Sequence, residues 1–271
     1  MGELQKRVMT AGFMILISFS CLYYSPLLPM IVLVLGVAIL ACFEWVKLLA
    51  WQSRFVLWAM CSILISVVGV CYFVPFVWIL SVGLLACCWL WVAVFHYQMK
   101  AGSAGLNFPI NSLIVGVCLL GSFVYAVDYL RGVQLRASVW LFYPIVLSAL
   151  VDTGGFFVGR TWGRHKMIPR VSPKKSWQGF AAGLLLGMLF AVSCGVFSLP
   201  AHCDSVEFLC LSFLCIMACV MGDLSISVLK RIANVKDSGH LLPGHGGILD
   251  RLDSIIPAVL VFAAGLCFLS L

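Results

Sequence analysis

The fold class the sequence predicts is all-α: a polytopic integral membrane helical bundle of about nine transmembrane helices, with a cytoplasmic N-terminus. Three observations predict it. Of the 271 residues, 63% are hydrophobic and 10% charged, against roughly 25% charged and 45–50% apolar in soluble domains. Apolar runs of about 20 residues recur along nearly the whole chain, each able to cross a hydrocarbon core of about 30 Å as a helix. Lys and Arg fall on alternate loops, fifteen of the seventeen on one side, the bias that cytoplasmic loops carry. Continuous apolar runs such as 30–42 do not alternate with polar residues, which sets aside a transmembrane β-barrel.

The spans fall near residues 8–25, 27–49, 55–73, 76–97, 110–130, 137–159, 177–199, 206–229 and 254–271. Lys6 and Arg7 precede the first, and without a small-residue cleavage pattern it reads as a retained helix. Pro26, Pro29 and Pro75 mark tight turns between antiparallel neighbours. Residues 1–130 are expected to hold about five N-terminal transmembrane helices, and 131–271 the C-terminal helices with the cytoplasmic catalytic loops. Thirteen cysteines lie mostly inside apolar spans without metal spacing and read as small hydrophobes. The net charge of +7 suits anionic lipid or nucleotide phosphate beside a membrane, with no specific support for nucleic acid.

Two loops on the basic side carry the chemistry. The first, from Asp152 to Gly179, includes Arg160, Arg164, Lys166 and the run Ser172-Pro173-Lys174-Lys175-Ser176-Trp177. Ammonium groups and a following helix N-terminus both favour phosphate, although any positive-inside loop beside anionic headgroups has this composition. The second runs from Asp223 through Lys230, Arg231 and Lys236 to His245, Gly246, Gly247, Asp250, Arg251 and Asp253. Carboxylates for a hard cation, basic groups for phosphate charge and glycines for close approach occur together there. Asp250 and Asp253 are spaced to share one helix face. Asp223 and Asp152 lie in or beside apolar spans, where an acid is costly and marks function by default. Glu44 and Asp128 are expected only to reach the interface or pair locally. His245 would donate to phosphate, shuttle a proton, or simply satisfy a loop carbonyl; the other histidines lack zinc spacing.

The second loop resembles a known signature. Ser227-x-Leu229-Lys230-Arg231, then Lys236-Asp237-x-Gly239, then Leu242-Pro243-x-His245-Gly246-Gly247-Ile248-x-Asp250-Arg251-Leu252-Asp253 is similar to that of the phosphatidate cytidylyltransferases, also called CDP-diacylglycerol synthases. The Ser172 to Gly179 segment resembles a further family segment, with Ser176 where Thr is frequent. The resemblance implies CTP and phosphatidic acid as substrates, CDP-diacylglycerol and pyrophosphate as products, Mg²⁺ as cofactor with room for a second cation, and a homodimer among membrane lipids in a bacterial inner membrane, its active site facing the cytoplasm. Carried onto this chain, Asp223, Asp250, Lys230 and Arg251 are the expected catalytic residues, and Asp223, Asp250 and Asp253 the expected metal ligands. Substrate binding is expected from Ser172, Lys174, Lys175, Ser176, Arg231, Lys236, His245, Gly246 and Gly247.

Competing classes fit less well. A transporter would show repeated halves with matching broken helices, and the chain shows neither. A CDP-alcohol phosphotransferase would carry an Asp-Gly-x-x-Ala-Arg pattern, absent here. The nearest alternative is a CTP-dependent or lipid-kinase-like enzyme acting on another lipid, such as an isoprenoid alcohol.

Overall fold

The computed structural model describes residues 27–49, 54–100, 108–132, 137–197, 203–239, 241 and 246–269. These form α1 (Leu27–Leu48), α2 (Arg54–Cys71), α3 (Phe76–Met99), α4 (Phe108–Gly132), α5 (Ala137–Trp162), β1 (Lys166–Ile168), β2 (Ser172–Ser176), α6 (Trp177–Phe197), α7 (Ser205–Ile232), the single turn α8 (Leu249–Leu252) and α9 (Ile255–Leu269). Eight of the expected spans coincide with helices to within three residues; the expected first span, 8–25, lies outside the described residues. Among the described residues six helices are long and apolar enough to cross a membrane, while Phe55–Val70 and Ile255–Leu269 are shorter apolar helices.

Local chemistry sets the helix starts. Pro75 occupies the N-cap of α3 with extended backbone, where its missing N–H costs nothing. At the start of α7 the Asp204 side chain accepts from the Glu207 N–H at 2.8 Å, and Glu207 accepts from the Asp204 N–H at 2.9 Å. That reciprocal box satisfies two of the donors a helix N-terminus leaves open.

The central element is α9, whose residues are buried almost throughout from Ile256 to Cys267, and which packs against α3, α4, α5 and α7. Both halves of the chain therefore share one core. Tyr143 is stacked on Phe190 and tilted against Phe208 and Phe262, with its hydroxyl 2.6 Å from Ser212 Oγ. Helix α6 buries only Gly179, Gly183, Gly187 and Ala191, a small-residue seam that lets its backbone approach α5 closely, as membrane helices do. Among the described residues no buried side-chain nitrogen or oxygen lacks a hydrogen-bond partner, as native interiors require.

One element departs from the all-α expectation. The basic stretch after α5 folds as an antiparallel hairpin, Lys166 opposite Ser176 and Ile168 opposite Ser172. Its lysines hide the reason: Ile168 and Val171 are buried with Val94, Leu224 and Val228 in a small separate core. The hairpin is thus fastened to α3 and α7. Arg170 adds bonds to Gln98, its Nη1 donating to the Gln98 carbonyl at 2.6 Å, and Arg231 Nε donates to the Val171 carbonyl at 3.1 Å.

Candidate active site

The two loops singled out in the sequence meet. Lys175 is half-buried, and its Nζ lies 2.7 Å from Asp223 Oδ2 in the last turns of α7. Lys174, beside Lys175, is exposed at the cleft. Ser176 closes the strand and caps α6, accepting from the Gly179 N–H at 3.2 Å. Around the ion pair opens a cleft of about 870 Å³ lined by Asp152, Arg160, Lys166, Ser172, Lys174, Lys175, Ser176 and Asp223, with Phe156, Phe180 and glycines of α5 and α6 as its apolar wall. The cleft has the size of a nucleotide or lipid-headgroup site, since small-molecule pockets run to roughly 300–1,000 Å³.

A second contact brings the two ends of the signature segment together. Gly222 packs so closely against the turn before α9 that a Cβ would strike the Asp253 carbonyl oxygen and lie 2.6 Å from Pro257 Cγ. Asp223 and Asp253 are neighbours for this reason. Ser254 ties in the third acid: its hydroxyl donates to Asp152 Oδ2 at 3.1 Å and accepts from Ser148 at 3.0 Å, while its N–H donates to Asp253 Oδ1 at 2.8 Å. Burial pushes the Asp253 carboxyl well above the usual carboxylate range, and the negative charges of Asp223 and Asp152 add to it against the pull of Lys230.

The donor chemistry suits a hard divalent cation. Three carboxylates from α5, α7 and the α8–α9 turn interact electrostatically, and carboxylate oxygens are the ligands Mg²⁺ prefers. Among the described residues no group of three His, Cys, Asp or Glu side chains is gathered as a ready ligand set; Asp223 is instead turned onto Lys175. The acids are of the type a hard cation takes, but Asp223 would have to leave Lys175 to serve one.

Asp250 sits apart from the cleft as a clamp. Its Oδ1 is 2.7 Å from Lys230 Nζ, and its Oδ2 accepts from the N–H groups of Ser238 at 2.8 Å and Gly247 at 3.1 Å. Gly246, beside it, adopts φ 82°, a left-handed conformation natural only to glycine. Burial alone would raise the Asp250 carboxyl, but the Lys230 bond and the Ser238 and Gly247 amides outweigh it and hold the carboxyl below its ordinary value of 3.8. A depressed carboxylate stabilises the fold above its unfolded value and loses that contribution as pH falls through the folded value. Asp250→Asn should therefore lower stability by about 2–4 kcal/mol at neutral pH. Thermal unfolding against pH checks this: the gap to wild type should hold down to the ordinary carboxylate range and shrink only below it.

The expected basic residues divide. Lys174 and Lys175 line the cleft. Lys230 stands between acids, pulling electrostatically on Asp223, Asp250 and Asp253, and Arg251 acts on Asp152. Arg231 is committed in part to the hairpin, and Lys236 is exposed. His245 lies outside the described residues. Sequence reasoning missed Glu44. Far from reaching the interface or pairing locally, it is buried and accepts three hydrogen bonds from the signature loop about 200 residues away in sequence. The signal was available, since Glu44 is the one acid in the 22-residue apolar α1.

Comparison with known sequences places this arrangement. The sequence model of the cytidylyltransferase family matches residues 5–269. The chain belongs to the cytidylyltransferase family. Its curated relatives in that family include a phosphatidate cytidylyltransferase of Pseudomonas aeruginosa, 30% identical over 269 residues and covered to 96% on both chains. The phosphatidate cytidylyltransferase of Mycobacterium leprae is 35% identical over 187 residues, 64% of this chain and 58% of the relative. That of Haemophilus influenzae is 38% identical over 164 residues, 58% of this chain and 55% of the relative. In these last two, the matched segment spans under two thirds of the relative's own length.

Proposed function

We propose that this cytidylyltransferase-family chain transfers the cytidylyl group of CTP to phosphatidic acid, giving CDP-diacylglycerol and pyrophosphate. The observation that carries the reading is the Lys175–Asp223 pair within a cleft lined by Arg160, Lys166, Lys174 and serines. It joins the two phosphate-type loops at one end of an apolar bundle. A phosphate oxygen of the lipid would form the new bond to the α-phosphorus, and the α–β bridging bond would break with its electrons going to pyrophosphate. Both reactants are anions, so charge neutralisation and alignment set the barrier. Lys175, Lys174, Lys166 and Arg160 are placed to bind phosphate oxygens, and Lys230 with Arg251 to balance the acids. No strong general base is needed, because the attacking phosphate is already ionised.

Mg²⁺, when bound, would supply positive charge to the transferring phosphate. Asp223 and Asp253 are its proposed holders, with Asp152 beside them; Asp250, the third expected ligand, is linked to them through Lys230, and a second cation is part of the same proposal. The same reading has nine membrane spans, the N-terminus and active site on the cytoplasmic face of a bacterial inner membrane, catalytic loops drawn from 131–271, and a homodimer. Its support is the basic bias of the loops at the site's end of the bundle and the bacterial relatives. Lipid would enter sideways and nucleotide from the water.

The purified protein supplied with CTP and a panel of phosphatidate, an isoprenoid alcohol and diacylglycerol tests the substrate. Phosphatidate alone should yield a CDP-lipid; product from an alcohol instead would overturn the assignment. Lys174→Ala, exposed and free of packing duties, should raise the CTP KM about tenfold, the order expected for one charged contact, with kcat changed far less. An unchanged CTP response would remove Lys174 from the nucleotide site.

A further inference from the structure

We propose that Glu44 is the positioning residue of the active-site loop, reaching from the first described helix to hold the signature segment in its working shape. The inference rests on the reaction proposed above for its catalytic meaning, and on geometry alone for the clamp. Glu44 is 1% exposed. Its Oε2 accepts from Ser238 Oγ at 2.7 Å and the Leu249 N–H at 2.9 Å, and its Oε1 from the Ile248 N–H at 3.0 Å. The two amides open α8, whose N-cap position is filled by Ile248 with no side-chain cap of its own. Glu44 supplies from a distant helix the acceptor that Ser, Asp or Asn supplies locally elsewhere.

The fit is close. A Cβ on Gly239 or Gly247 would collide with the Glu44 carboxyl, so both glycines leave room for it. Ser238 joins two hubs, giving its hydroxyl to Glu44 and its N–H to Asp250. Through Leu249 the clamp passes directly into Asp250 and then the Asp253 turn. A loop whose buried amides and hydroxyl converge on one acid cannot relax cheaply when that acid is removed, because each donor is then left unsatisfied. The N-terminal half is thereby given a part in catalysis that its lack of signature residues conceals.

The test uses the full chain in detergent micelles with Glu44→Ala, Glu44→Gln and Ser238→Ala, measuring CDP-lipid formation and hydrogen exchange. Glu44→Ala should lower kcat about 10–100-fold, the size found when a residue orienting a ligating group is lost, while the CTP KM moves less than about threefold. Exchange at Ile248 and Leu249 should quicken, with α9 from Ile256 to Ala264 protected as in wild type. Glu44→Gln keeps an acceptor oxygen and should recover part of both losses; Ser238→Ala, which removes one bond of the three, should show a smaller loss of the same kind. Wild-type turnover in Glu44→Ala, or slowed turnover with unchanged exchange at Ile248 and Leu249, overturns the proposal. So does exchange that quickens equally across α9, which marks Glu44 as merely structural. If Glu44→Ala fails to fold, Glu44→Gln and Ser238→Ala decide by the same two readouts. A wild-type chain that makes no CDP-lipid would defeat the proposed reaction while leaving the exchange result to judge the clamp.

Discussion

Asp223→Asn is expected to lower CDP-diacylglycerol formation by at least about 10²–10³-fold, the order seen when one group stabilising transition-state charge is removed. The substitution keeps volume and hydrogen-bonding shape but deletes the charge that faces Lys175 at 2.7 Å and that neighbours Asp253 and Asp152. Folding should survive. The pair is partly open to the cleft, its side chains 23% and 28% exposed, so its loss should cost less than the roughly 3–5 kcal/mol of a fully buried pair. Turnover under saturating CTP and phosphatidate, set beside the melting temperature in the same detergent, separates the two effects. Near-normal turnover would remove Asp223 from the metal and from the chemistry.

Gly222→Ala should be nearly as damaging by a different route. The added methyl meets the Asp253 carbonyl oxygen, which belongs to backbone and cannot swing aside. Overpacking of this kind costs about 1–3 kcal/mol, and relief requires α7 to move away from the α8–α9 turn. That motion separates Asp223 from Asp253, and misplacement by about 1 Å can lower a rate about 100-fold. Gly69→Ala is the internal control: a Cβ there has nothing within 4 Å, so it should leave activity alone and gain about 0.5–1 kcal/mol of helix stability. Equal behaviour of the two variants in melting and turnover would mean that the close approach at Gly222 does not position the acids.

The helices were legible because hydropathy acts locally. An apolar run of span length has no alternative in lipid but to satisfy its backbone within a helix, so even short α9 appears where expected. The acids of the site were legible for a related reason: Asp152 and Asp223 interrupt apolar spans, and their charges have no cheap explanation there. What joined them was not legible. Lys175 reaches Asp223 because Ile168 and Val171 seat the hairpin against Val94, Leu224 and Val228, two apolar positions masked by the lysines around them. Asp250, grouped with Asp253 by its spacing, turned out to carry a loop through Lys230, Ser238 and Gly247. Glu44 was visible as an intramembrane acid, yet two of its three partners are backbone amides, which have no sequence signal.

The central claim is that the α-phosphate of CTP moves to phosphatidate, and isotope position tests it most directly. Purified protein given phosphatidate and CTP labelled at the α-phosphate should place the label in a lipid-soluble product, with pyrophosphate released one for one. CTP labelled at the γ-phosphate should leave its label in the water. Transfer of the γ label into lipid, or retention of the α label in water-soluble nucleotide, would contradict the account.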